Sequence, residues 1–215
     1  MIVVLGRPRV YRPQPDGPLQ PGGLAVEIAT AVAAAGTPVE LVGSIGDDPE
    51  GDRVVVELGR AGVGHAALLR DPGARTPTFS QAPDRTLPRL EAADVELGLR
   101  YVPECQVLVV AAGLDTQALA RTQEAAAYHG AALVVVAPAG AIDPDALGDE
   151  VTLLERPAPE DEEEETAAAA DSAAADDAAF GAFVAAYALG LERGAAPADA
   201  FAEALGGSAW EVSAD

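Results

Sequence analysis

Residues 107–136 read VLVVAAGLDTQALARTQEAAAYHGAALVVV: an apolar run at Val107–Ala111, a helical stretch at Asp115–His129, and a second apolar run at Ala132–Val136. Two short hydrophobic strands joined by a long helix make a βαβ unit, and such a crossover leaves its strands parallel. The same alternation continues in both directions. Upstream, Ile2–Leu5 reads as a strand and the proline-rich segment 7–21 as a loop. Gly22-Gly23 opens an Ala-rich helix that Gly36 stops, and Val39–Val42 is the next strand. Asp48-Pro49 starts a helix that runs to Ala61, with Asp as N-cap and Pro in the first position. Ala66–Leu69 and Thr76–Ser80 read as strands and 87–99 as a helix. Downstream come a short helix at 143–147, a strand at Val151–Leu154, a helix at Asp176–Leu191 and a last helix at Pro197–Leu205. Phe180, Phe183, Val184, Tyr187 and Leu191 share one face of the penultimate helix. The pattern predicts an α/β fold, a mostly parallel sheet with helices on both faces, built as one domain over 1–215. Within it, 157–175 is an acidic and then Ala-rich connection.

Of the 215 residues, 49% are hydrophobic, enough to bury a core. Thirteen basic residues, every one Arg, face 35 acidic ones, for a net charge of −22. That balance argues against binding nucleic acid or an anionic membrane, both of which need clustered positive charge. It suits a salt-rich cytoplasm and a high-GC genome equally. One cysteine, Cys105, excludes a disulfide framework and a Cys-based zinc site, and reads as a packing residue. His65 and His129 have no evident Ser or Asp partner. Ile2–Leu5 is too short for a signal peptide, and later apolar runs fall far short of the roughly 20 residues that cross a bilayer. A cytoplasmic setting is expected.

Two segments could carry chemistry. Gly22-Gly23 leaves the first-turn N–H groups of a helix open to hydroxyls or anions, although the same pair also makes a common structural turn. The second segment, Asp171–Val184, reads DSAAADDAAFGAFV. With a helix starting at Asp176, N–H groups around Ala174, Ala175 and Asp176 could stabilise a phosphoryl group, and Asp177 could accept a hydroxyl proton. An ordinary helix cap uses the same residue types.

Together these segments resemble the ribokinase-like (PfkB) carbohydrate and nucleoside kinases. The family's first motif is a Gly-Gly pair with an Asn four residues on; Gly22, Gly23, Ala25, Ala29, Gly36 and Gly46 fit it, and Glu27 stands in the Asn position. Gly43-x-x-Gly46-x-Asp48-x-x-Gly51, followed by Gly62-Val63, is similar to the family as well. The family's second motif, Asp-Thr-Thr-Gly-Ala-Gly-Asp-Ala-Phe, aligns without a gap from Asp171 and puts Asp177 on the catalytic base.

The resemblance implies a three-layer ribokinase-like fold with a reduced lid, represented by 7–21 and 75–81. It implies ATP and Mg2+, and phosphoryl transfer to a sugar or nucleoside hydroxyl. Gly22, Gly23 and Glu27 would border the acceptor, Ala174, Ala175 and Asp176 would form the anion hole, and Glu162 or Glu163 would help hold magnesium. Several features depart from the pattern. No Asp near the first strand is available to grip sugar hydroxyls, and Ala174 and Asp176 replace both anion-hole glycines. A carboxylate at 176 lying about 4 Å from the phosphoryl group would oppose transfer by about 4 kcal/mol, about a thousandfold in rate. Only Thr166–Ala170 separates the acidic run from the catalytic motif, where the family places nucleotide-holding strands. A second reading is therefore a non-catalytic relative that binds a small polyol or nucleoside. A shortened lid points weakly to a monomer.

Overall fold

The computed structural model describes residues 1–12, 17–78, 87–102, 104–148, 150–156 and 167–207. Six parallel strands form the central sheet: β1 (Ile2–Gly6), β4 (Val39–Gly46), β5 (Leu68–Asp71), β6 (Val107–Val110), β7 (Ala132–Pro138) and β8 (Val151–Arg156). Their order across the sheet is β5-β4-β1-β6-β7-β8. The chain thus begins in the middle, builds outward to one edge, then returns and builds to the other.

Both faces of β1 are buried, which is why it reads as an unbroken apolar run. Ile2 and Val4 face a core shared with α1 (Leu24–Ala34), α2 (Pro49–Arg60), α5 (Ala167–Glu192) and α6 (Pro197–Gly207). Val3 and Leu5 face the opposite core, shared with α3 (Ala92–Arg100) and α4 (Thr116–His129). The α5 segment Ala173–Glu192 is long and apolar enough to cross a membrane, but half of it is buried inside the protein. Phe180, Phe183 and Tyr187 on that helix pack into the first core, and Phe201 of α6 meets Phe183 edge-on at 5.5 Å.

Three expectations are corrected. Segment 7–21 contains an antiparallel pair, β2 (Arg9–Tyr11) with β3 (Gln20–Gly22), rather than only a loop. The strand expected at Thr76–Ser80 is, among the described residues, a bridge from Val10 to Thr78, with the Val10 N–H donating to the Pro77 carbonyl at 2.8 Å. The two candidate lid segments are thereby joined. Helix α5 starts at Ala167 instead of Asp176, because the alanines between have the highest helix propensity and no glycine or proline interrupts them.

The turn after β4 forms as its residues suggest. Asp48 caps α2, accepting from the Gly51 N–H at 2.8 Å, and its carboxylate also accepts from the Thr76 N–H at 2.8 Å and the Thr76 hydroxyl at 2.7 Å. Gly46 is required beside it, since a Cβ there would lie 2.6 Å from both the Asp48 carboxylate and the Thr76 nitrogen. Burial pushes the Asp48 carboxyl up, but the bonds from Thr76 and Gly51, with Arg75 nearby, outweigh it and hold it below the usual carboxylate range. A depressed folded-state pKa stabilises the fold above the unfolded value and is lost as pH falls through the folded one. Asp48→Ala should therefore cost about 2 kcal/mol at pH 7 in denaturant unfolding. The difference from wild type should shrink below about pH 4.

Candidate functional site

The helix after β1 and the helix after β6 pack on opposite faces of the sheet, so their connections part between these neighbouring strands. In sheets of this order the usual place for a ligand is there, beyond the carboxyl ends of the strands. On one side, β1 ends at Gly6, and α1 begins so close above it that a Cβ on Gly6 would collide with Ala25. Gly22 pairs with Arg9 across the β2–β3 ladder. Gly23 caps α1 with φ +88°, which L side chains rarely adopt, and a Cβ there would lie 3.5 Å from the Arg9 methylenes. Glu27 stands one turn into α1, half-buried.

The other side is built by α5 lying antiparallel along β8. Two contacts fix its register. Arg156 Nη1, at the end of β8, donates to Asp177 Oδ1 at 2.6 Å, and Thr152 and Tyr187 share a hydroxyl–hydroxyl bond of 3.0 Å. Ten helical residues rise about 15 Å, close to the span of the four strand residues between Thr152 and Arg156, so both contacts fit one straight docking. One turn past Asp177, Gly181 faces α1: a Cβ there would lie 2.7 Å from Glu27 Cβ and 3.3 Å from the Ile28 nitrogen.

The close approach makes Glu27 and Asp177 neighbours. Burial pushes the Glu27 carboxyl up, and the Asp177 carboxylate adds to the shift. Asp177 is 7% exposed. Arg156 bonds to one of its oxygens, Oδ1, and among the described residues no hydrogen bond reaches Oδ2. Glu27 and Asp177, far apart in sequence, therefore meet one turn into the helix that the diglycine opens.

The anion hole does not form as the sequence suggested. Ala174, Ala175 and Asp176 lie within α5, two turns or more past its start, where their N–H groups bond inside the helix. Asp176 is exposed, so the electrostatic penalty expected from it is screened by water. Glu162 and Glu163 lie outside the described residues, as does Trp210. Arg156 was not singled out in the sequence; it is one of thirteen arginines, marked only by ending the last strand before the acidic run. Cys105 is buried and its thiol is pushed up to about 11, chiefly by burial, as suits packing rather than nucleophilic attack. An open concavity of about 810 Å³ lies at the far end of the sheet, between the close of α4 and the starts of β7 and β8, away from all of these groups.

The family model for pfkB carbohydrate kinases matches residues 8–154. The chain belongs to the pfkB carbohydrate kinase family. The match ends inside β8, so Asp177 and Arg156 stand outside it. No curated protein matches the chain. A PfkB protein from Polaromonas sp. JS666 is similar in structure, with TM-score 0.60 and 13% identity, covering 94% of this chain and 92% of its own. An uncharacterized sugar kinase from Pyrococcus horikoshii gives TM-score 0.50 and 14% identity over 70% of this chain. This pfkB chain spans 58% of the length of that kinase.

Glu27 supplies a prediction about the site alone. A carboxyl whose folded pKa is raised holds its proton more tightly in the folded state, so its ionisation costs stability as pH rises above about 4.3. Glu27→Gln should raise Tm at pH 7, and the gain should vanish by pH 4 in paired thermal melts.

Proposed function

We propose that this pfkB family member is an ATP-dependent kinase that transfers the γ-phosphoryl group to a hydroxyl of a sugar or nucleoside. The observation that supports it most is the meeting of Glu27 and Asp177 at the carboxyl edge of the sheet, with Oδ2 of Asp177 bonded to no described residue. Asp177 is the base: Oδ2 takes the acceptor proton as the acceptor oxygen bonds to phosphorus and the bond to the ADP oxygen breaks. Arg156 orients Asp177 through one N–H and keeps other guanidinium donors for the charge on the moving group. It would carry part of the load that the family gives to open backbone N–H groups. Gly22 and Gly23 border the acceptor, and Glu27 hydrogen-bonds its hydroxyls in place of Asn.

Among the described residues, no three acidic, His or Cys side chains gather into a metal cage. Magnesium carried on substrate phosphates needs only one or two protein carboxylates. It would neutralise charge on the phosphates.

One observation favours a second reading, a non-catalytic binder of a polyol or nucleoside: α5 runs unbroken through 174–177, closing the expected phosphoryl cradle. ADP release from Mg-ATP against a panel of sugars and nucleosides separates the two. The kinase reading expects turnover with at least one acceptor, and Asp177→Asn should lower kcat by about a hundredfold or more. Turnover unchanged in Asp177→Asn would contradict the base assignment. Thermal stabilisation by an acceptor, with no response to Mg-ATP, would establish the binder.

A further inference from the structure

A base must be ionised again before each turnover, and Asp177 is poorly placed to manage this alone. It is 7% exposed, and Arg156 holds one of its oxygens at 2.6 Å. Little water can reach it to take a proton back. Once protonated, it also leaves the Arg156 guanidinium without its charge partner, so the proton moves readily to another carboxylate in reach.

Glu27 is such a carboxylate. Gly181, one turn past Asp177 on α5, stands where a Cβ would be 2.7 Å from the Glu27 Cβ, so the face of α5 that carries Asp177 lies against Glu27. Among the described residues no hydrogen bond or ion pair reaches the Glu27 carboxyl, so no cation on the chain holds it ionised. Burial and then the charge of Asp177 push it up, which makes it a ready proton acceptor. Other charges bear on it less directly. Arg156 reaches the pair through Asp177, and Arg9 lies against Gly23 at the other end of the same turn. Asp176 of α5 is exposed. Strands β1 and β3 bring no titratable side chain, and the carboxylate of Glu40 in β4 is engaged by the Ala67 N–H at 3.2 Å. Glu27 is only half-buried, so it keeps the contact with water that Asp177 lacks. The carboxamide that the family's motif has at this position could not take a proton.

We infer that Glu27 carries away the proton that Asp177 takes from the acceptor. The acceptor O–H bond breaks as its oxygen bonds to phosphorus and the bond to the ADP oxygen breaks. The proton goes to Oδ2 of Asp177, then to a Glu27 oxygen, directly or across one water, and from there to solvent. Asp177 is left ionised and paired with Arg156. The inference rests on the kinase reading for the proton's source, but not for the pairing of the two carboxyls.

Carboxyl 13C NMR titration of wild type and Asp177→Asn tests the pairing with no ligand present. Glu27 should titrate above the exposed glutamates in wild type and move back towards them in Asp177→Asn. ADP release from Mg-ATP against the acceptor panel tests the route. Glu27→Gln keeps hydrogen-bonding atoms for the acceptor, so it should lower kcat by about tenfold or more with acceptor KM little changed. Added formate should restore part of that rate, and Glu27→Asp should keep more of it. Protonated Glu27 cannot accept, so wild-type kcat should fall on the acid side, and that limb should move to lower pH in Glu27→Gln. A Glu27 titration unmoved by Asp177→Asn would overturn the inference. So would a wild-type rate and pH profile in Glu27→Gln, which would leave the kinase reading standing. No ADP release by wild type with any acceptor would remove both.

Discussion

The close packing of α5 on α1 governs the site. Gly181 is the only residue type that fits there, since a Cβ would stand 2.7 Å from that of Glu27 and 3.3 Å from the Ile28 nitrogen. With the helices this close, Phe180, Phe183, Val184 and Tyr187 fill the core above β1 and β6, and Asp177 is carried to the rim beside Glu27. The Arg156 and Thr152 contacts then set how far α5 slides along β8. A shift of one turn would break both bonds and move the carboxylate about 5.4 Å from its neighbour.

Charge is distributed with the same economy. A chain of net charge −22 repels anionic ligands at long range, so a phosphorylated or carboxylated ligand needs local cations that are shielded from the bulk field. Arg156 and Arg7 are both partly buried, the first joined to Asp177 and the second, among the described residues, to no carboxylate. On the outer surface, arginines such as Arg60 and Arg121 pair with glutamates one turn away, which adds little to stability.

The fold was largely legible. Strands buried on both faces read as continuous apolar runs, and capping residues such as Asp48 marked helix starts, because both depend on local chemistry. The site was legible in part. Glu27 and Asp177 were singled out by their resemblance to the family's motifs, and the structure makes them neighbours. What failed was the start of α5: a segment rich in alanine carries high helix propensity but no boundary, so a motif read as a helix start became helix interior. Arg156 and Arg7 were invisible for a different reason. Their meaning lies in which carboxylate they reach or lack across the fold, and no spacing rule encodes that. The β2–β3 pair was hidden by its prolines, which are tolerated in a short two-stranded ladder outside the main sheet.

A double-mutant cycle between Glu27 and Asp177, using Gln and Asn replacements and denaturant unfolding at pH 7, interrogates the helix docking without relying on any ligand. Adjacent like charges predict a coupling energy of about 0.5 kcal/mol or more, the second substitution relieving less repulsion than it would alone. Additivity to within about 0.3 kcal/mol would mean that the two carboxylates do not meet, and the docking of α5 on α1 as described would be refuted.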